Sequence, residues 1–152
     1  MFRVLRGMGV SEPQVADAVQ DVFVVVHRRL AQFDGRHAIR TWLFEIAYRV
    51  ACDYRRRLQR ARSHEPLHER LHDPAPGPGE RAERSDQLRL LNELLDQLDD
   101  EKRVVLVLAE IEELSAPEIA SLTGVPLNTV YTRLRRARIA LSQALAARKI
   151  RP

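Results

Sequence analysis

Apolar positions recur along this chain at helical intervals. Val15, Val19, Val22, Val26 and Leu30 lie three or four residues apart, with Gln14, Asp17, Gln20, Asp21 and Arg28 filling the other side. The run Val22-Phe23-Val24-Val25-Val26 is β-branched and taken alone would suit a strand. The longer 3.6-residue period and the polar flank predict a helix over 14–31 instead. Ser11 as cap and Pro13 in the first turn would open it. The segment Phe33-Asp34-Gly35-Arg36-His37 then breaks the pattern, with Asp-Gly marking a turn. A second face, Leu43, Ile46, Ala47, Val50, Tyr54 and Leu58, predicts a helix over 40–60, with Glu45, Arg49, Asp53, Arg56 and Arg60 opposite.

Residues 63–80, SHEPLHERLHDPAPGPGE, hold four prolines and two glycines and little that could enter a core. They predict a flexible linker and a boundary, giving domains at 1–62 and 86–152 joined by residues 63–85. Beyond it, Leu88, Leu91, Leu94, Leu95 and Leu98 form another helical face. Asp99 or Asp100 can cap a helix carrying Val104, Val105, Leu108 and Ile111. Ser115 and Glu118 have capping-box spacing, Pro117 falls in a first turn, and Gly124 marks a break. A short helix, a turn at Gly124 and a second helix opening at Pro126 have the shape of a helix-turn-helix. Ile119, Ala120 and Leu122 would pack on Val125, Val130 and Leu134. Asn128, Thr129, Tyr131, Thr132, Arg133, Arg135 and Arg136 would then be free to reach base edges and phosphates. No strand is needed anywhere, so the expected fold class is all-α, as two small helical domains.

Composition agrees: 45% of the 152 residues are hydrophobic and only 5% aromatic, which suits packed helices more than a β-sandwich. The formal net charge of +4 conceals a sharper distribution. Residues 49–62 carry six arginines against one aspartate, and residues 133–149 carry five arginines and a lysine with no acid. Between them, residues 80–118 hold twelve acids and five bases. Two basic patches divided by an acidic block point to two contacts with a polyanion and a separate surface for another partner. The loop 33–41 carries Phe33, His37 and Ile39, where an unstacked base could sit.

Other chemistry is poorly represented. Cys52 is the single cysteine and cannot form an internal disulfide. His64, His68 and His72 follow at i, i+4, i+8, but the prolines around them argue against a preformed metal site. There is no phosphate-binding glycine loop and no nucleophile with a paired base, so neither an enzyme, a cofactor nor a small-molecule substrate is expected. The opening MFRVLRGMGV has no long apolar run, which reads as a cytoplasmic chain without membrane insertion.

Two stretches together resemble a known family. DAVQDVFVVVHRRLAQFDGRHAIRTWLFEIAYRVACDYRRR resembles region 2 of the extracytoplasmic-function (ECF) sigma factors of the sigma-70 family. LDQLDDEKRVVLVLAEIEELSAPEIASLTGVPLNTVYTRLRRARIAL is similar to their region 4. The resemblance implies a bacterial promoter-recognition subunit that binds core RNA polymerase and promoter DNA and is held by an anti-sigma factor. By this resemblance Asp17, Gln20, Asp21, Phe23 and Val24 dock on the polymerase clamp helices. Phe33, Arg36, His37, Ile39, Arg40, Thr41 and Arg49 would contact the single-stranded −10 element, with Phe33 facing a flipped base. Arg55, Arg56, Arg57, Thr129 and Arg133 would hold the DNA backbone. Tyr131, Thr132, Arg135 and Arg136 would read the −35 bases, and the acidic, leucine-rich surface before them would face the polymerase flap or the anti-sigma factor.

The sequence departs from the family pattern at several points. The first helix of region 2 is represented only by its end, FRVLRGMG, implying an apparently truncated element. Glu45 and Arg49 stand where basic and small polar residues are frequent, and Asn128 and Tyr131 are also unusual. The family's DNA preference is therefore not carried over. Two other readings compete. A helix-turn-helix regulator binding duplex DNA as a dimer would explain the C-terminal half but leave the loop and arginines of the N-terminal half idle. An interaction protein sequestering a partner through 14–31 and the leucine-rich segment is the third.

Overall fold

The computed structural model describes the backbone of residues 1–36, 38–64 and 80–149. His37 and most of the expected linker, including His68 and His72, lie outside the described residues. Among the described residues seven α-helices follow in order: α1 Phe2–Gly7, α2 Val15–Arg29, α3 Ile39–His64, α4 Glu80–Leu95, α5 Asp100–Leu106, α6 Ala116–Thr123 and α7 Leu127–Lys149. Among the described residues there is no strand. Helices α3 and α4 extend into the range expected as linker, to His64 and from Glu80.

Local chemistry explains most boundaries. A 3₁₀ turn, Glu12–Gln14, leads into α2 with Pro13 in its first turn, where the missing N–H is no loss. Ser11 is extended as a cap should be, but its hydroxyl donates to Gln14 Oε1 (2.8 Å) and makes no bond to the helix backbone. A second 3₁₀ turn, Leu30–Gln32, closes α2. Asp99 rather than Asp100 caps α5, accepting from the Lys102 amide at 2.9 Å. At its end α5 widens into a π-helical turn, Val107–Ile111, closed by the Glu112 amide donating to Val107 O (3.1 Å). Glu113 follows with φ 57°, the left-handed region that a non-glycine residue seldom occupies.

The buried stripe of α3 differs from the sequence expectation. Phe44, Ile46, Ala47, Val50, Ala51 and Tyr54 are buried, while Leu43 and Leu58 are only half-buried. The stripe is wide because α3 packs on α1, α2 and α6 at once. A helix touching three neighbours buries more of its circumference than one apolar period marks.

One hydrophobic core joins the two halves. Val4, Leu5, Met8 and Val10 pack with α2 and α3, and the same cluster continues through Val104, Val105, Leu108, Leu114, Ile119, Leu122, Val130 and Leu134. A smaller cluster gathers Leu95, Leu98, Leu106, Val107 and Ala137. The short N-terminal segment, expected to be a remnant, fills the centre of this contact: Leu5 and Met8 are fully buried. Gly7 permits the closest approach, since a Cβ there would lie 3.0 Å from Cγ1 of Val107.

Helix α6 opens with the expected capping box. The Ser115 amide and hydroxyl both donate to Glu118 Oε2 (2.8 and 2.6 Å), and the Glu118 amide donates back to Ser115 Oγ (3.4 Å). Gly124, at φ 71°, supplies the left-handed residue that ends it. The Ser115 hydroxyl and amide hold the Glu118 carboxyl below its usual 4.5. A depressed folded-state value means the box stabilises fully above the ordinary value and is lost as pH falls through the folded one. Ser115→Ala is therefore expected to cost about 0.5–2 kcal/mol in urea unfolding at neutral pH. The gap to the parent chain should narrow as pH falls below the ordinary glutamate value, Glu118 taking up its proton in the unfolded chain before the folded one.

Candidate nucleic-acid interface

On α7, residues four apart lie on one side, so Tyr131 and Arg135 share a row with Thr132 and Arg136 beside it. All four are exposed, Tyr131 to 55%. The opposite side, Val130, Leu134 and Ala137, is buried against α6 and α5, and this fixes the orientation. Thr132 Oγ1 donates back to Asn128 O (2.9 Å). Thr129 and Arg133 are half-buried at the edge of the face. Arg133 is engaged by Glu101 at 2.6 Å, and Arg138 by Glu110 at 2.6 Å. Among the described residues neither Arg135 nor Arg136 has an ion pair. Uncompensated guanidiniums beside an exposed phenol and hydroxyl can hydrogen-bond base edges and phosphates.

The second element is the turn between α2 and α3. Asp34 Oδ1 accepts from the Arg36 amide (3.0 Å) and its other oxygen pairs with the Arg36 guanidinium (3.2 Å), while Gly35 takes φ 71°. Phe33 is half-buried and packs on Trp42, ring centroids 5.3 Å apart and tilted by 50°. Ile39, Arg40 and Thr41, expected in the loop, form the first turn of α3. Ile39 is 51% exposed, an apolar side chain standing in solvent beside the turn. Arg40 lies over the Phe44 ring at 5.3 Å and donates to Glu112 O at 2.6 Å.

The arginines of α3 do not form one stripe. Arg49 is exposed and pairs with Glu45 one turn earlier. Arg56 and Arg57 are exposed, the first near Asp53 (3.7 Å), the second over the Tyr54 ring (5.4 Å). Arg55 turns inward: its side chain is 12% exposed, donates to Met8 O (2.7 Å) and lies 3.6 Å from Asp100. The sequence placed Arg55 with its neighbours because a run of arginines reads as a solvated end. The 100° step per residue carries one of the three into the contact between the halves.

A third surface lies on α2. Asp17, Gln20, Asp21, Phe23 and Val24 are all exposed, and a shallow groove of about 490 Å³ runs between Val19, Gln20, Phe23, Val24, His27 and Arg28. Asp21 is anchored, accepting from the Tyr54 hydroxyl at 2.8 Å. Burial and that bond push the Tyr54 phenol up to about 12, so it stays a donor at any physiological pH.

Sequence reasoning missed Trp42 as the second wall of the Phe33 site, although nine residues separate them across one turn. It also missed Glu101 and Glu112 as partners of basic residues, for which no local signal exists.

A chain with no strand among its described residues, a helix-turn-helix, an exposed arginine face on its second helix and an aromatic turn beside a basic helix belongs among DNA-binding transcription proteins. Residues 1–61 match the family model "Sigma-70 region 2" and residues 88–141 match "Sigma-70, region 4". The chain belongs to the sigma-70 family and is an RNA polymerase sigma factor of its ECF type. It is 37% identical to the RNA polymerase sigma factor YlaC of Bacillus subtilis, over 84% of this chain and 75% of that one. It is 30% identical to the ECF RNA polymerase sigma-E factor of Escherichia coli, over 87% and 74%. The solved structure of CnrH, the sigma factor of Cupriavidus metallidurans, in complex with the cytosolic domain of CnrY, superposes with a TM-score of 0.69 at 32% identity. That likeness covers 96% of this chain and 80% of the other.

Trp42 is the only tryptophan. In Phe33→Ala it loses one wall, so its emission maximum should move to longer wavelength by several nanometres while the helical circular dichroism is kept. An unchanged emission maximum would show that the two rings do not pack in solution.

Proposed function

We propose that this sigma factor divides polymerase and promoter contact between its three surfaces. The exposed apolar face of α2, Phe23 and Val24 flanked by Asp17, Gln20 and Asp21, docks on the clamp helices of core polymerase. The turn at Phe33, with Arg36, His37, Ile39, Arg40 and Thr41, receives the melted −10 strand, and a flipped base stacks beside the Phe33–Trp42 pair. Flipping a base costs a few kcal/mol, which an aromatic wall can offset. Arg49, Arg56 and Arg57 continue along the strand, and Arg55 joins them when the contact with Met8 is released. Tyr131, Thr132, Arg135 and Arg136 read the −35 duplex, with Thr129 and Arg133 on its phosphates. The observation that carries this division is the exposed Arg135–Arg136 face, without an ion pair among the described residues, on the helix of a region 4 match, in one chain with a region 2 match.

The chain supplies no chemistry of its own, since polymerase makes the phosphodiester bonds. No described helix is long and apolar enough to cross a membrane, and the reading places the chain in the cytoplasm with polymerase. By analogy with CnrH, whose structure holds the cytosolic domain of CnrY, an anti-sigma factor is a further partner; it and the polymerase flap would meet the acidic, leucine-rich α4 segment.

Two measurements test the reading. Purified chain mixed with core polymerase should support initiation from a subset of promoter fragments. A chain that neither binds core nor initiates, yet shifts a palindromic duplex as a dimer, would be a stand-alone regulator. Arg136→Ala should weaken −35 duplex binding by ~1–3 kcal/mol with relaxed selectivity at one base pair. An equal loss on all sequences would reassign Arg136 to phosphate.

A further inference from the structure

One carboxylate stands in the path proposed for the −10 strand. Residues four apart share a row on a helix, so Thr41, Glu45, Arg49 and Asp53 line one side of α3. The residues between them, Phe44, Ile46, Ala47, Val50 and Ala51, are buried and fix which side that is. Glu45 Oε1 accepts from the Arg49 guanidinium, and the two side chains are 40% and 61% exposed. Among the described residues neither has another hydrogen-bond or ion-pair partner. Both depart from the family pattern at their positions, so the pair belongs to this chain.

An exposed ion pair of this kind contributes little to the stability of its helix. Its effect on a bound polyanion is larger. A free guanidinium attracts phosphates wherever they lie, whereas one turned toward a carboxylate forms a nearly neutral unit that repels phosphate as much as it attracts it. Such a unit adds nothing to general affinity for DNA. What it keeps is direction. An arginine fork with one N–H engaged by Glu45 retains the paired donors that match guanine O6 and N7. That edge of guanine faces the major groove and is accessible in duplex and single strand alike. Holding the long side chain in place beforehand also removes the cost of ordering it on contact.

The spacing places the base. Arg49 stands about two turns beyond Trp42, roughly 10 Å along the axis of α3. One strand of DNA advances about 3.4 Å per nucleotide, so this distance covers about three nucleotides.

We infer that Glu45 is a positioning residue that aims the Arg49 guanidinium at a guanine of the −10 element, about three nucleotides from the base beside Phe33 and Trp42. This rests on the function proposed above for the −10 surface, and adds to it a base identity and the group that enforces it.

The test combines the full chain and core polymerase with promoter fragments randomised over the −10 element, and sequences the fragments that initiate. The parent should prefer guanine roughly 10-fold or more at one position. Phe33→Ala in the same pool marks the flipped base, from which the guanine should lie about three nucleotides. Arg49→Lys keeps the charge and loses the fork, so the preference should fall to roughly 2-fold or less. Glu45→Ala and Glu45→Gln remove the same charge, and both should increase use of fragments lacking the guanine, more so at low salt. Only Glu45→Gln retains an acceptor for Arg49. It should keep part of the guanine preference, while Glu45→Ala loses roughly 5-fold of it. All these side chains are at least partly exposed, and unchanged helical circular dichroism checks that the variants fold. A guanine preference undiminished in Glu45→Ala overturns the positioning role. So does a preference lost at a cytosine instead, which would make Glu45 itself the reader through the cytosine amino group. Equal losses in the alanine and glutamine variants overturn the hydrogen bond as the means. A parent that initiates selectively without any guanine preference overturns this inference alone, whereas a parent that neither binds core nor initiates overturns the proposed function as well.

Discussion

Arg103 brings a positive charge into the middle of the protein, and the packing of the N-terminal segment is arranged around it. Helix α1 has six residues, too few to hold itself together in water, and the carbonyls at its end have no further turn to bond with. The Arg103 guanidinium takes two of them, Arg6 O and Gly7 O, and Asp96 supplies the countercharge. A cation at a helix C-terminus is also favoured by the helix dipole. With the carbonyls satisfied, Val4, Leu5 and Met8 can be buried between α2, α3 and α5. Without Arg103, Gly7 O would lose its side-chain donor and Asp96 the nearer of its two arginines, a loss of about 1–3 kcal/mol.

The acidic block that separates the basic patches acquires a structural meaning in this light. Asp96, Asp100, Glu101, Glu110 and Glu112 each lie within ion-pair distance of an arginine: Arg103, Arg55, Arg133, Arg138 and Arg40 respectively. Four of these arginines belong to the basic segments or the turn before them. The arginines therefore sort into a set neutralised by the chain's own carboxylates and a set left bare, of which Arg135 and Arg136 are members. Charge totals by segment could not separate them, because members of both sets lie side by side in the same run, Arg133 and Arg138 on either side of Arg135 and Arg136.

How much could be read in advance follows from the range of each interaction. The capping box at Ser115, the left-handed Gly124 and the buried pattern of the helix-turn-helix rest on residues three to eight apart, and all appear in the structure as the spacing implied. The valine-rich α2 also emerges as a helix because its period outweighed β-branching. The contacts that were not legible span long separations: Arg40 to Glu112 across 72 residues and Arg103 to Gly7 across 96. Periodicity marks a buried face but not the neighbour that buries it, so Phe44 was overlooked for Leu43 and the core shared by the two halves was not foreseen. At the candidate site, the row on α7 follows from helical geometry alone, whereas the inward turn of Arg55 required knowing what lies beside α3.

The π-helical turn at Val107–Ile111 carries a last implication, for ancestry. Such a turn accommodates one residue more than a regular α-helical turn, as a single-residue insertion would. Each residue of an α-helix advances the chain by about 100°, and the wide turn absorbs that rotation without disturbing Val104 and Val105 upstream. Downstream, it determines that Glu112 faces Arg40 instead of pointing elsewhere around the axis. A relative lacking one residue in this stretch would keep the same core and the same helix-turn-helix and lose the acid at that bearing. Sequence length between the α5 cap and the Ser115 cap is thus a one-number signature by which the Glu112–Arg40 contact could be traced through the family.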